Sequence, residues 1–138
     1  MPPEEQYDFA KAQQKIWERH KQKFVPDAPP YVLSAQERAD LSFPALSWLD
    51  AAFARMSSSS MKILAFTPVH VANQGWPGTR TAAVEAECKA RVVAVARRRG
   101  ATVIDWRIAS PITRNDANYW DESHYRVPIA RRLADEMA

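Results

Sequence analysis

The chain has almost none of the residues from which disulfides and thiolate metal sites are made. Cys88 is its single cysteine and it has three histidines among 138 residues, which excludes an internal disulfide and a cysteine-rich metal site. A position among alanines and valines on a predicted helix favours a packed Cys88 thiol over a reactive one. A zinc site built from His70, His124 and a carboxylate has no support from their spacing, so we expect no metal and no cofactor.

A long hydrophobic run is also missing. No apolar stretch approaches the ~20 residues that cross a bilayer, and the acidic, polar residues 1–6 are not typical of a signal peptide. As encoded, the chain is predicted to be cytoplasmic and without a membrane span. If its natural start lies upstream of Met1, an exported or membrane-anchored protein is the alternative.

Strong charge of one sign is absent as well. The net charge is +3, and 46% hydrophobic with 25% charged residues is ordinary for one globular domain or part of one. The basic residues are scattered, which does not favour a nucleic-acid partner. Binding of nucleic acid through Arg91 and residues 97–99 remains a weaker alternative.

The N-terminal third is predicted to be an appendage. Residues 9–23 fit a helix whose thin apolar stripe consists of Phe9, Ile16 and Trp17, and three prolines between residues 26 and 30 then favour an extended connector. We therefore predict a helical arm and proline-rich connector over residues 1–33, outside the core, and an α/β domain over residues 34–138.

The predicted domain opens with two helices. Ser34 and Glu37 have capping-box spacing, and Ser42 with Pro44 is a second start signal. The second helix has an apolar stripe at helical spacing, made by Leu46, Leu49, Phe53 and Met56. Serines 57–60 then predict a connector.

A strand, a long helix and a second strand follow. Residues 62–66 and 101–106 are typical of buried parallel strands. The helix between them is predicted to start after Thr79 and to end near Arg99, before Gly100. This is the pattern of a βαβ unit. Pro128 predicts the start of a last helix.

Polar side chains cluster where strands end, which is where ligands bind in open α/β sheets. His70 and Asn73 follow the first strand, Asp105 ends the second, and Asp121 with His124 precedes the last helix. An aspartate three residues before a histidine can hold one imidazole nitrogen and leave the other to act as a general base. The alternatives are a helix-capping Asp121 with a surface His124, and a His70 with a structural hydrogen bond.

The string over residues 110–125, with Asn118-Tyr119-Trp120-Asp121 and His124-Tyr125 at its end, resembles the C-terminal catalytic block of the SGNH/GDSL hydrolase superfamily. The resemblance extends over about residues 61 to 137. It implies a partial flavodoxin-like, three-layer parallel sheet, with Asp121 orienting the base His124. It also implies action on acyl or acetyl esters, often of carbohydrates. From their positions near the strand ends and the Asp121–His124 pair, His70, Asn73, Asp105 and Tyr125 are the substrate-binding candidates.

The chain departs from that family in lacking a G-D-S block. Its glycines, Gly75, Gly78 and Gly100, lie in other contexts, so no nucleophile is recognised. We therefore expect the C-terminal part of an ester hydrolase or O-acyl transferase. The alternative is a catalytically inactive binding or interaction domain. A sheet without its first strands exposes an edge, which predicts a homo-oligomer or a complementing segment.

Overall fold

A computed structural model describes residues 3–18 and 29–137 of the chain. These residues form five α-helices and two strands, with short 3-10 turns at Glu4–Gln6, Val71–Asn73 and Asp116–Asn118. In chain order the elements are α1 (Phe9–Trp17), α2 (Ala35–Asp40), α3 (Ala45–Arg55), β1 (Ile63–Phe66), α4 (Arg80–Arg98), β2 (Thr102–Asp105) and α5 (Val127–Met137). The predicted continuation of the first helix to residue 23, and Pro26, lie outside the described residues.

Side-chain caps fix the starts of α2 and α4. Ser34 Oγ accepts the Glu37 backbone N–H at 3.1 Å and the Glu37 carboxylate accepts the Ser34 backbone N–H at 2.9 Å, so the predicted capping box of α2 is confirmed. Thr79 likewise caps α4 by accepting the Ala82 backbone N–H at 3.1 Å. Gly100 ends α4 with a φ of 70°, a left-handed conformation that suits glycine.

The two strands pair with each other in a small parallel sheet. Together with the helices this confirms a mixed α/β chain. The expectation of buried strands is wrong for the described residues, because Ile63 is 37% exposed and no residue of either strand is fully buried. Both strands are also shorter than predicted. The strands are exposed partly because a two-stranded sheet has few neighbouring elements to cover it.

The chain divides into two compact units. The sheet unit comprises the described residues of 25–66 together with 75–104. Its core is a cluster of Phe53, Val95, Ala96 and Ala101, against which Leu46, Leu49, Leu64 and Val103 pack. The predicted stripe of α3 is therefore correct except at Met56, which lies beyond the last helical residue and is 42% exposed.

The site unit combines the described residues of 1–24 with 67–74 and 105–138. Ile16 of α1, Ala72 and Tyr119 form its buried cluster, and each is at most 2% exposed. The interpretation of α1 as an appendage outside the core is therefore wrong. Although the apolar stripe of α1 is thin, it supplies two buried side chains, Ile16 and the small Ala12.

Candidate functional site

The Asp121–His124 sequence forms the tip of a short hairpin in the site unit. Tyr119 and Tyr125 form an antiparallel bridge. The Trp120 backbone N–H donates to the His124 carbonyl at 2.8 Å, which closes the loop. We call residues 121–124 the acid–base turn. Because the ends of the turn are paired, the backbone keeps Asp121 and His124 close to each other.

The predicted contact between Asp121 and His124 is present. His124 Nδ1 lies 2.8 Å from both Asp121 carboxylate oxygens. Asp121 Oδ1 also accepts the backbone N–H groups of Ser123 at 2.8 Å and His124 at 2.9 Å. Partial burial by itself would raise the pKa of Asp121, but these hydrogen bonds and the imidazole outweigh it and lower the pKa.

That geometry fixes which nitrogen of His124 carries the proton. An ionised carboxylate only accepts hydrogen bonds, so Nδ1 is protonated in the neutral ring and Nε2 keeps its lone pair. The His124 side chain is 64% exposed, and Nε2 forms no hydrogen bond to any residue that the structure describes. The arrangement is that of a general base. Asp121 also accepts two backbone N–H groups, but they belong to Ser123 and His124 of the turn and not to α5, which begins at Val127. Asp121 therefore does not cap the last helix, whereas the exposed His124 agrees with the alternative of a surface histidine.

Asn73 lies beside this turn. It ends the 3-10 turn Val71–Asn73, and its Nδ2 donates to Ser123 Oγ at 3.0 Å. Of the predicted substrate-binding residues, Asn73 is therefore one that the structure brings to the Asp121–His124 pair.

His70 has a different environment from the one that its position after β1 suggested. Its side chain is 0% exposed, and Trp17 and Tyr119 each approach it edge to face at 5.4 Å. Its Nδ1 accepts the Ala72 backbone N–H at 3.1 Å and its Nε2 lies 3.0 Å from Asp116 Oδ1. Such a side chain does not line an open pocket, which agrees with the alternative of a structural hydrogen bond.

Asp116 is a residue of this network that the sequence analysis missed. Its second oxygen, Oδ2, accepts hydrogen bonds from Gln13 Nε2 at 2.9 Å and Trp17 Nε1 at 3.0 Å. Burial would raise the pKa of Asp116, but these donors and His70 lower it. No spacing in the sequence could have indicated this, because the partners lie in two segments, α1 and the turn at His70, that are far from Asp116 along the chain.

Two predicted substrate-binding residues remain, Asp105 and Tyr125. Asp105, at the end of β2, accepts the Arg107 backbone N–H at 2.9 Å. Tyr125 is half-buried and packs against the cluster of Ile16, Ala72 and Tyr119. These contacts favour a turn-forming role for the Asp105 carboxylate and a packing role for the Tyr125 ring.

A nucleophile for His124 is not found in the described part of the chain. There, no serine or cysteine is hydrogen-bonded to His124: Ser34 caps α2, Ser123 accepts from Asn73, and Cys88 is half-buried in α4. The same residues contain no group of three or more metal-ligating side chains. None of their helices is both long and apolar enough to cross a membrane.

Comparison with known proteins adds no assignment. No protein-family model, curated protein or solved structure matches this chain. The acid–base turn and the residues around it are the features of the chain that bear on its function.

Proposed function

We propose that this chain is the C-terminal part of an SGNH-type ester hydrolase or O-acyl transferase and supplies its acid–base pair. The contact that carries the proposal is the Asp121 carboxylate, with both oxygens 2.8 Å from His124 Nδ1. It leaves Nε2 as the basic nitrogen. In acyl transfer, Nε2 takes the proton of the attacking hydroxyl group and later returns it to the leaving group, while Asp121 stabilises the imidazolium ion.

The sequence around the pair supports the same class. Residues 110–125 resemble the C-terminal block of SGNH/GDSL hydrolases, in which an aspartate orients the base. A strand, a helix and a parallel strand precede this block, as they do in that family. We further propose that the two strands belong to a larger, three-layer flavodoxin-like sheet.

The nucleophile is then proposed to come from a complementing segment or another copy of the chain. Without it, the pair has only water to activate, and general-base catalysis by itself contributes typically about 10²–10⁴-fold. Acyl and acetyl esters, including those of carbohydrates, are the proposed substrates.

Hydrolysis of p-nitrophenyl acetate tests the base. We expect His124→Ala and Asp121→Asn to lower the protein-dependent rate about 10²-fold or to background. Asp135→Asn is the matched control for the carboxylate, because Asp135 is exposed on α5; His20→Ala controls for hydrolysis by an unrelated imidazole. Both controls should retain the wild-type rate.

A fluorophosphonate probe separates catalysis by the chain alone from catalysis with a partner. Serine labelling that disappears in His124→Ala would identify a nucleophile within the chain. Equal hydrolysis by wild type and His124→Ala contradicts the proposed role of His124. If labelling and hydrolysis are both absent, the chain alone is not a catalyst and an inactive binding domain is the better description.

A further inference from the structure

The site unit contains two Asp–His pairs, and the proposed chemistry uses only one. Asp121 and His124 are accessible, whereas His70 is completely buried against Asp116, whose side chain is 15% exposed. The buried pair cannot reach a substrate. Its connections to the acid–base turn indicate a different role.

Residues 70–73 hold the acid–base turn at two consecutive positions. The His70 backbone N–H donates to the Glu122 carbonyl at 2.9 Å, and Asn73 Nδ2 donates to Ser123 Oγ at 3.0 Å. Glu122 and Ser123 are the two residues between Asp121 and His124. A shift of either changes the distance between the carboxylate and the imidazole.

The His70 side chain has a polar contact at each ring nitrogen. Nδ1 accepts the Ala72 backbone N–H, so the neutral ring carries its proton on Nε2, which faces Asp116 Oδ1 at 3.0 Å. Asp116 in turn accepts from Gln13 and Trp17 of α1. One carboxylate therefore joins α1 to the segment that holds the turn. A buried polar network of this kind is rigid only while all its members are paired.

We propose that His70, Asn73 and Asp116 are positioning residues that hold the acid–base turn so that Asp121 keeps the proton of His124 on Nδ1. This inference rests on the proposed function for its purpose, but its geometry concerns only the tautomer of His124. A neutral histidine side chain in water prefers the opposite tautomer, with the proton on Nε2. The contact with Asp121 reverses that preference only while the turn is fixed.

Nitrogen-15 NMR of the imidazole rings tests the inference, because two-bond correlations distinguish the two tautomers. The spectra are recorded on the whole chain at a pH at which the histidines are neutral. In the wild type we expect His124 to be protonated on Nδ1 and His70 on Nε2. In Asn73→Ala and Asp116→Asn, we expect His124 to lose its predominant Nδ1–H form and Nε2–H to become the larger population.

Matched variants keep the result specific. Asp135→Asn makes the same chemical change as Asp116→Asn at an exposed position and should leave the tautomer of His124 unchanged. Asn73→Gln keeps an amide donor and should retain more of the Nδ1–H form than Asn73→Ala. If Asp116→Asn does not fold by circular dichroism, Asn73→Ala decides alone, because it removes only one side-chain contact with the turn.

An unchanged Nδ1–H form of His124 in folded Asn73→Ala and Asp116→Asn overturns the inference. The outcome is independent of the proposed function. A tautomer change together with absent ester hydrolysis would support positioning and count against catalysis. Hydrolysis that depends on His124, with an unchanged tautomer in the variants, would support catalysis and count against positioning.

Discussion

Tyr119 shows how one residue can be essential to packing and still carry an unused polar group. It is 0% exposed, packs in one cluster with Ile16 and forms a T-shaped ring contact with His70. Its hydroxyl is buried and has no hydrogen-bond partner among the described residues. Burial raises the pKa of Tyr119 well above its ordinary value, with a further contribution from Tyr125. The hydroxyl is therefore neutral at any physiological pH.

We expect Tyr119→Phe to increase the free energy of unfolding by about 1 kcal/mol, because it removes a buried polar group that costs about 1–3 kcal/mol when unpaired. The aromatic packing is retained. Urea denaturation followed by circular dichroism measures the change. Tyr31→Phe is the matched control and should not stabilise the protein, since the Tyr31 hydroxyl donates to the Glu37 carboxylate. A loss of stability in Tyr119→Phe would show that the hydroxyl does have a partner.

Single residues also show which part of the site a sequence can reveal. Asp121 and His124 are three positions apart, so a tight turn alone brings them into contact, and the spacing was enough to predict it. His70 and Asp116 meet because α1, the Val71–Asn73 turn and the Asp116–Asn118 turn pack together. No local pattern encodes that meeting, so the sequence left His70 open between a substrate-binding position and a structural hydrogen bond.

The starts of helices were the most predictable features of the fold, because a side-chain cap and the N–H group that it accepts lie within four residues of each other. Ser34 and Thr79 both accept the backbone N–H three residues later, as their spacing with the following helix predicts. Ser42 gave a similar signal, but α3 begins after Pro44 and has no side-chain cap. Strand exposure was not predictable, because it depends on what covers the sheet.

We expect the capping box of α2 to contribute measurably to stability. Ser34→Ala removes the side-chain acceptor of the α2 capping box and should lower the free energy of unfolding by about 1 kcal/mol. Ser42→Ala, which removes the same hydroxyl from a serine that makes no cap, should change it by less than about 0.5 kcal/mol. Urea denaturation of both variants measures the difference. Equal effects would show that the hydrogen bonds of the capping box contribute nothing net.

At the scale of the whole chain, the N-terminal segment joins residues more than a hundred positions away. Glu4 accepts hydrogen bonds from Arg126 Nε and from the Val127 backbone N–H, both at 2.9 Å. The Arg126 guanidinium also lies 3.6 Å from the centre of the Tyr7 ring. The thin apolar stripe of this segment predicted an appendage over residues 1–33. Cation–π, ionic and capping contacts supplement that stripe, and no local pattern indicates contacts between residues so far apart.

We also expect α1 to stabilise the site unit through Ile16. This side chain is 0% exposed against Ala72 and Tyr119, so Ile16→Ala should lower the free energy of unfolding by about 2–5 kcal/mol. Val32→Ala is the control for a lost aliphatic side chain, because Val32 is 76% exposed, and should cost less than about 0.5 kcal/mol. Urea denaturation, monitored by tryptophan fluorescence, measures both. If Ile16→Ala costs no more than the control, burial of α1 through Ile16 does not stabilise the site unit.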